Sequence, residues 1–145
     1  MKKNLLYFLL LLIIFYSLYK IIHEEKVIYI NDEELLTQLK ADLYKIDPRS
    51  ANFNYFSSDA SLTEDKRDIY LCLRDENGQY YPYNMLMYVS IHELAHAVSS
   101  SIDENHEGLE FNNNFKTLLQ QAKDLNLYDS SQPIINDYCP APRKK

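Results

Sequence analysis

The chain has 145 residues, 25% of them charged and 46% hydrophobic, with a formal net charge of −6. That is length for one small domain. Two glycines, five prolines and two cysteines exclude collagen-like, low-complexity and disulfide-dense chains. The acidic balance also speaks against a nucleic-acid partner, which a basic patch would be needed to hold. The first 22 residues contain three lysines and no acid, leaving 12 basic and 21 acidic groups on the other 123.

Within residues 5–22 the single charge is Lys20. As a helix this run would rise roughly 27 Å, close to a hydrocarbon core of about 30 Å. Lys20 could then snorkel to the headgroups, with Tyr16 and Tyr19 at the level of an interfacial belt. A domain this small has no interior able to surround a helix apolar on every face. A cleaved signal also fits Lys2 and Lys3 ahead of an apolar run, but residues 17–26 offer no small-x-small cleavage pair. The expectation is an N-terminal transmembrane anchor over 1–22 and a separate domain over 23–145, a single-pass membrane protein. The lysine distribution leans toward a cytoplasmic N-terminus.

In the body, residues 23–30 read as an extended stalk or first strand. Asn31 offers an N-cap, Asp32, Glu33 and Glu34 fill a first helical turn, and Leu35, Leu36, Leu39, Leu43 and Ile46 follow at helical spacing. Asp47-Pro48 closes that helix. Residues 49–66 read as polar and irregular. The run Asp68–Arg74, the turn Asp75–Gly78 and the run Gln79–Tyr81 read as a β-hairpin about Asn77-Gly78. Asn84 can cap a helix reaching about Ser99, and a second amphipathic helix spans about 109–125, with Phe111, Phe115, Leu118, Leu119, Ala122 and Leu125 on one stripe. The tail from Tyr128 reads as irregular. The order implies a compact α+β domain.

The first of these two helices carries His92-Glu93-Leu94-Ala95-His96, an HExxH pattern. Residues i and i+4 share a helix face, so both imidazoles can bind one metal ion. Glu93 is turned about 100° from His92, beside the metal, where it can take a proton from a metal-activated water as general base. Zinc suits two imidazoles and lowers the pKa of its bound water to about 7. Met87, Ile91, Leu94 and Val98 form an apolar stripe opposite the histidines, so one face packs while the other opens to a cleft. The bland alternative is a pair of surface histidines on a solvated helix with Glu93 an ordinary surface charge.

Catalytic zinc usually takes three protein ligands. His106 is favoured as the third because it lies shortly after the helix and imidazole suits the metal. Asp103, Glu104, Glu107 and Glu110 compete for the role, and His106 could equally be a loop residue capping the next helix. His23, next to the apolar run, reads as a juxtamembrane polar residue.

At these residues the chain resembles the WLM and SprT-like zinc metallopeptidases, small zincins whose HExxH helix is followed by a third histidine and a short H…EF segment. The matching stretches are His92–His96 and His106-Glu107-Gly108-Leu109-Glu110-Phe111. It is most similar to predicted WLM-like proteins of large DNA viruses, which pair a run like Leu71–Tyr81 with an HELAH helix, a Phe-rich helix and a late Tyr-Cys, here Tyr138-Cys139. The resemblance covers about residues 66–140. It implies a small zincin-like α+β domain, its small sheet packed on the HExxH helix, with zinc held by His92, His96 and His106 and Glu93 as general base. The His96–His106 spacing is longer than in typical WLM proteins.

The activity expected is zinc-dependent hydrolysis of a peptide or protein substrate at a membrane reached through residues 5–22. Some relatives cut proteins off DNA, but the acidic body does not carry that substrate over. A rival reading is a non-catalytic, membrane-anchored interaction protein that keeps a zincin scaffold. Cys72 and Cys139 lack a C-x-x-C partner and stay open between a disulfide and two buried thiols.

Overall fold

The computed structural model describes residues 2–100 and 108–139, and within the first helix the side chains of 7–20 and 32–46. The elements in chain order are α1 (Lys2–Ile46), β1 (Asn54–Ser57), β2 (Leu62–Glu64), β3 (Asp68–Leu71), α2 (Tyr83–Val98) and α3 (Leu109–Asp124), with a 3-10 turn at Pro48–Asn52. The chain divides into two compact units, Met1–Leu35 and Leu36–Lys145.

The N-terminal expectation is corrected in two respects. The predicted transmembrane helix over 1–22 is not supported: among the described residues no helix is long and apolar enough to cross a membrane. In addition, residues 23–30 are helical rather than extended, and the helix runs unbroken from Lys2 to Ile46, so Asn31 starts nothing. No Gly or Pro occurs before Pro48, and once a helix is nucleated each further residue adds a hydrogen bond. The modest helix penalty of Val27, Ile28 and Ile30 does not stop it.

In the second unit, Leu39, Leu43 and Ile46 are buried at the end of α1, the positions the leucine spacing marked. The helix stops at Pro48, as expected. Asp47 then caps the 3-10 turn, accepting the Arg49 N–H at 2.9 Å and two side-chain contacts from the Arg49 guanidinium at 3.0 and 2.7 Å.

The sheet is where the fold departs most from expectation. Its order is β1-β3-β2, with β3 in the centre, β1 parallel to it and β2 antiparallel. Both outer strands come from residues 49–66, read in the sequence as irregular. Strand β2 reaches β3 through a tight turn in which Asp65 and Lys66 have φ of 48° and 52°, and Arg67 N–H donates to the Glu64 carbonyl at 3.0 Å. Two successive positive φ angles make the turn twist match that of the strands, a role usually given to Asn-Gly. The Asn77-Gly78 turn does form, with Gly78 at φ 76°. Its arms, however, share one isolated antiparallel bridge, Arg74 with Tyr80, because Pro82 follows at once and opens α2.

Inner-face residues Tyr55, Ile69 and Leu71 are buried with Leu73, Met87, Ile91 and Leu94. Helix α2 packs against β2, β3 and α3. Helix α3 turns Phe111, Leu118 and Ala122 into the core, while Phe115 and Leu119 are half-buried and Leu125 is exposed. Cys72 and Cys139 are joined in a disulfide across 67 residues of sequence, worth about 4 kcal/mol in the chain-entropy account. It fixes the irregular tail to the end of β3.

Burial alone would raise the Asp47 carboxyl, but the Arg49 guanidinium and N–H outweigh it and hold the group below the usual carboxylate range. Such a group stabilises the fold above its unfolded pKa of about 3.9 and loses that contribution as pH falls through the lower folded value. Asp47→Ala is therefore expected to cost about 1 kcal/mol at pH 7. In urea denaturation the gap to the parent chain should narrow as pH drops below about 4; a gap independent of pH would contradict the ion-pair account.

Candidate metal centre

Helix α2 starts at Tyr83, with Pro82 at the N-cap position and no side-chain capping bond. Asn84, expected as the cap, instead exchanges two hydrogen bonds with the Asp129 backbone, at 2.7 and 3.1 Å. Two turns later the helix presents the HExxH residues as their spacing requires. Met87, Ile91 and Leu94 are fully buried on one face, and His92 and His96 are half-buried on another, their ring centroids 5.0 Å apart.

Glu93 lies between these faces and is 6% exposed. A carboxylate taken out of water needs a donor, and Thr63 of β2 supplies it, its Oγ1 2.8 Å from Glu93 Oε2. The same hydroxyl is 3.0 Å from the Glu93 carbonyl oxygen, so one short strand grips both the side chain and the backbone of this residue. Burial pushes the Glu93 carboxyl up to about 7, with the Thr63 hydrogen bond pulling the other way. Three residues further on, Lys66 donates to the backbone carbonyls of His96 and Ser99. A cation there satisfies carbonyls that the helix end leaves unpaired and complements its dipole.

The other wall is aromatic. Phe111 of α3, 2% exposed, stacks on His96 with centroids 4.2 Å apart and meets His92 edge-on at 5.1 Å. Phe115 meets His92 edge-on at 5.1 Å. Such contacts restrict ring rotation as well as bury area. The two helices are also tied by polar contacts. Asn114 donates to Ser99 Oγ at 2.9 Å, and the Glu110 carboxylate accepts from Ser100 N–H at 2.8 Å and from its hydroxyl at 2.9 Å.

Of the residues singled out in the sequence, His92, Glu93 and His96 are thus placed side by side on α2, the two imidazoles half-buried and Glu93 buried. His106, Asp103, Glu104 and Glu107 lie in 101–107, outside the described residues. Glu110 spends its carboxylate on Ser100. Among the described residues no group of three His, Cys, Asp or Glu is placed to hold a metal ion. Thr63 and Lys66 escaped the sequence reading: β2 is three residues long, too short for alternation to register, and Asp65-Lys66 lacks the usual turn signature. Tyr138 was marked only through the Tyr-Cys likeness. Burial pushes its phenol up to about 12, aided by the nearby Tyr81 and Glu93 and opposed by a hydrogen bond from Ser61.

Thr63→Val should leave a buried carboxylate without its hydroxyl donor, at a cost of about 1–3 kcal/mol, and Thr63→Ser should retain most of the stability. Urea denaturation at pH 7 distinguishes them; equal stability of the two variants would mean the bond does not form.

Three viral proteins of unassigned activity are similar to this chain. It is 39% identical over 84 residues to uncharacterized protein 136R of Invertebrate iridescent virus 6, a match covering 56% of this chain and 46% of that protein. It is 33% identical over 93 residues to uncharacterized protein 042R of Invertebrate iridescent virus 3, covering 61% and 54%. It is 43% identical over 70 residues to uncharacterized protein R325 of Acanthamoeba polyphaga mimivirus, covering 47% and 34%. The chain therefore spans about half the length, or less, of the relatives it matches. No family profile and no solved structure matches it.

Proposed function

We propose that the chain is a zinc-dependent metallopeptidase of the HExxH type, related to the WLM and SprT-like zincins it resembles. The observation that carries this reading is the pair of half-buried imidazoles one turn apart, 5.0 Å between centroids, beside a nearly buried Glu93 held at one carboxylate oxygen by Thr63. Two imidazoles on one helix face are suitable donors for zinc, and a third is to be supplied by His106. When bound, zinc would polarise the scissile carbonyl and acidify a water molecule.

The chain's own residues account for the rest of the chemistry. Glu93 stands one position from His92, turned off the imidazole face by about 100°, so its carboxylate serves as a base beside the metal rather than as a ligand. It accepts the proton of the attacking water and delivers it to the leaving amine. Thr63 keeps one carboxylate oxygen fixed, which leaves the other to face the reacting groups. Phe111 and Phe115 hold the imidazole planes and exclude water from their inner side. The substrate class is a peptide or protein.

The test uses the full chain. One zinc per chain is expected by elemental analysis after dialysis, with His92→Ala, His96→Ala and His106→Ala each reducing occupancy. Glu93→Gln should keep the metal and lose hydrolysis of denatured casein by about 100-fold to 10,000-fold. Absence of stoichiometric zinc in the parent chain would end the proposal, as would undiminished hydrolysis by Glu93→Gln.

A further inference from the structure

After α3 the chain returns along the body as an irregular strap. Residues 129–134 are exposed, and the segment is fastened at two places. At its start the Asp129 backbone exchanges two hydrogen bonds with the Asn84 side-chain amide. At its end Tyr138 and Cys139 dock on the sheet: the Tyr138 ring packs on Tyr81 with centroids 4.6 Å apart, Cys139 N–H donates to the Tyr81 hydroxyl at 2.8 Å, and Cys139 is bonded to Cys72.

The docked end meets the strand that holds Glu93. The Tyr138 hydroxyl donates to the Cys72 carbonyl and lies 3.1 Å from Ser61 Oγ. Ser61 Oγ in turn accepts the Cys72 N–H at 2.9 Å. These contacts close a ring: Cys72 N–H to Ser61, Ser61 hydroxyl to Tyr138, Tyr138 hydroxyl to Cys72 carbonyl. Ser61 immediately precedes β2, and Thr63, on the same side of the strand two residues on, donates to Glu93. Strand β2 is three residues long and has β3 as its sheet neighbour on one side, so contacts at its ends matter more than in a long central strand. Cys139 has a φ of 45°, a conformation that side-chain-bearing residues resist, so its seat depends on what holds it.

From this continuity we infer that the Cys72–Cys139 disulfide is a redox-sensitive lock on β2, and through Thr63 on Glu93. The inference goes beyond the peptidase reading and needs no metal; its consequence for activity alone rests on that reading. The reductant is a dithiol. Its thiolate attacks Sγ of Cys139, the more exposed partner, since Cys72 is 2% exposed. The S–S bond breaks and Cys72 leaves as a thiolate. The dithiol's second thiolate then displaces Cys139 and closes its own disulfide. Two electrons pass to the protein, and both cysteines take up protons to become thiols. With the covalent tie gone, the Tyr138 seat is left to hydrogen bonds and one ring contact, and the Ser61 contact opens with it.

Hydrogen exchange of the full chain, read by mass spectrometry, tests this with and without dithiothreitol. Reduction should raise exchange of the amides of residues 61–64 by about ten-fold, with α3 unchanged, and reoxidation should reverse it. Tyr138→Phe, with the disulfide intact, should raise exchange over the same residues. The inference is overturned if reduction affects residues 129–139 alone, if exchange rises equally in α3, if the bond resists dithiothreitol in the folded chain, or if Tyr138→Phe leaves residues 61–64 unchanged. None of these readouts depends on zinc content or hydrolysis, so failure here and failure of the peptidase reading are separable.

Discussion

A carboxylate held out of water imposes its own requirements on whatever surrounds it. Glu93 sits at 6% exposure on the inner flank of α2, where an unpaired charge would be costly. The protein meets the requirement with one hydroxyl, Thr63, and that choice dictates much of the local architecture. A strand has to pass directly beside the helix, so β2 occupies the flank of the sheet nearest α2. The strand then has to leave quickly, which it does through two residues at positive φ. The second of them, Lys66, uses its reach to satisfy the carbonyls at the helix end. One short hairpin therefore positions the acid and closes the helix that carries the imidazoles.

The opposite side of α2 is governed by packing rather than by hydrogen bonds. Phe111 and Phe115 arrive from α3 at positions one turn apart, which is the spacing needed to meet His92 and His96 one turn apart on the facing helix. The stacked contact on His96 and the edge contacts on His92 leave each ring little freedom. Around the helix ends, Ser99, Ser100, Glu110 and Asn114 form a polar seam that brackets residues 101–107.

The likeness to long viral proteins of unassigned activity and the proposed peptidase chemistry bear on different parts of the problem. The former concerns lineage over roughly half of the chain; the latter rests on geometry at three residues. The tail, bonded through Cys72–Cys139, places Tyr138 against both the end of β3 and the residue that opens β2.

The local code of the sequence was enough for the helices that bury one face. The leucine spacing marked Leu39 and Leu43, Pro48 marked a stop, and the HELAH and Phe-rich stripes gave α2 and α3 within a residue or two. The reason is that helix periodicity and backbone punctuation act over a few residues, within reach of pattern. The N-terminal segment misled because hydropathy and β-branched residues describe side chains, while the unbroken backbone of α1 follows from the absence of Gly and Pro over that length. Residues 54–64 were unreadable for a different cause: β1 and β2 are short, their partner β3 lies later in the chain, and pairing between strands is a long-range event that no window of sequence contains. By itself the sequence therefore determined that α2 carries two imidazoles on one face and the acid turned away from it. Tertiary structure alone decided what surrounds them, because the groups that hold Glu93, His92 and His96 come from β2 and α3 and meet them only when the chain has closed on itself.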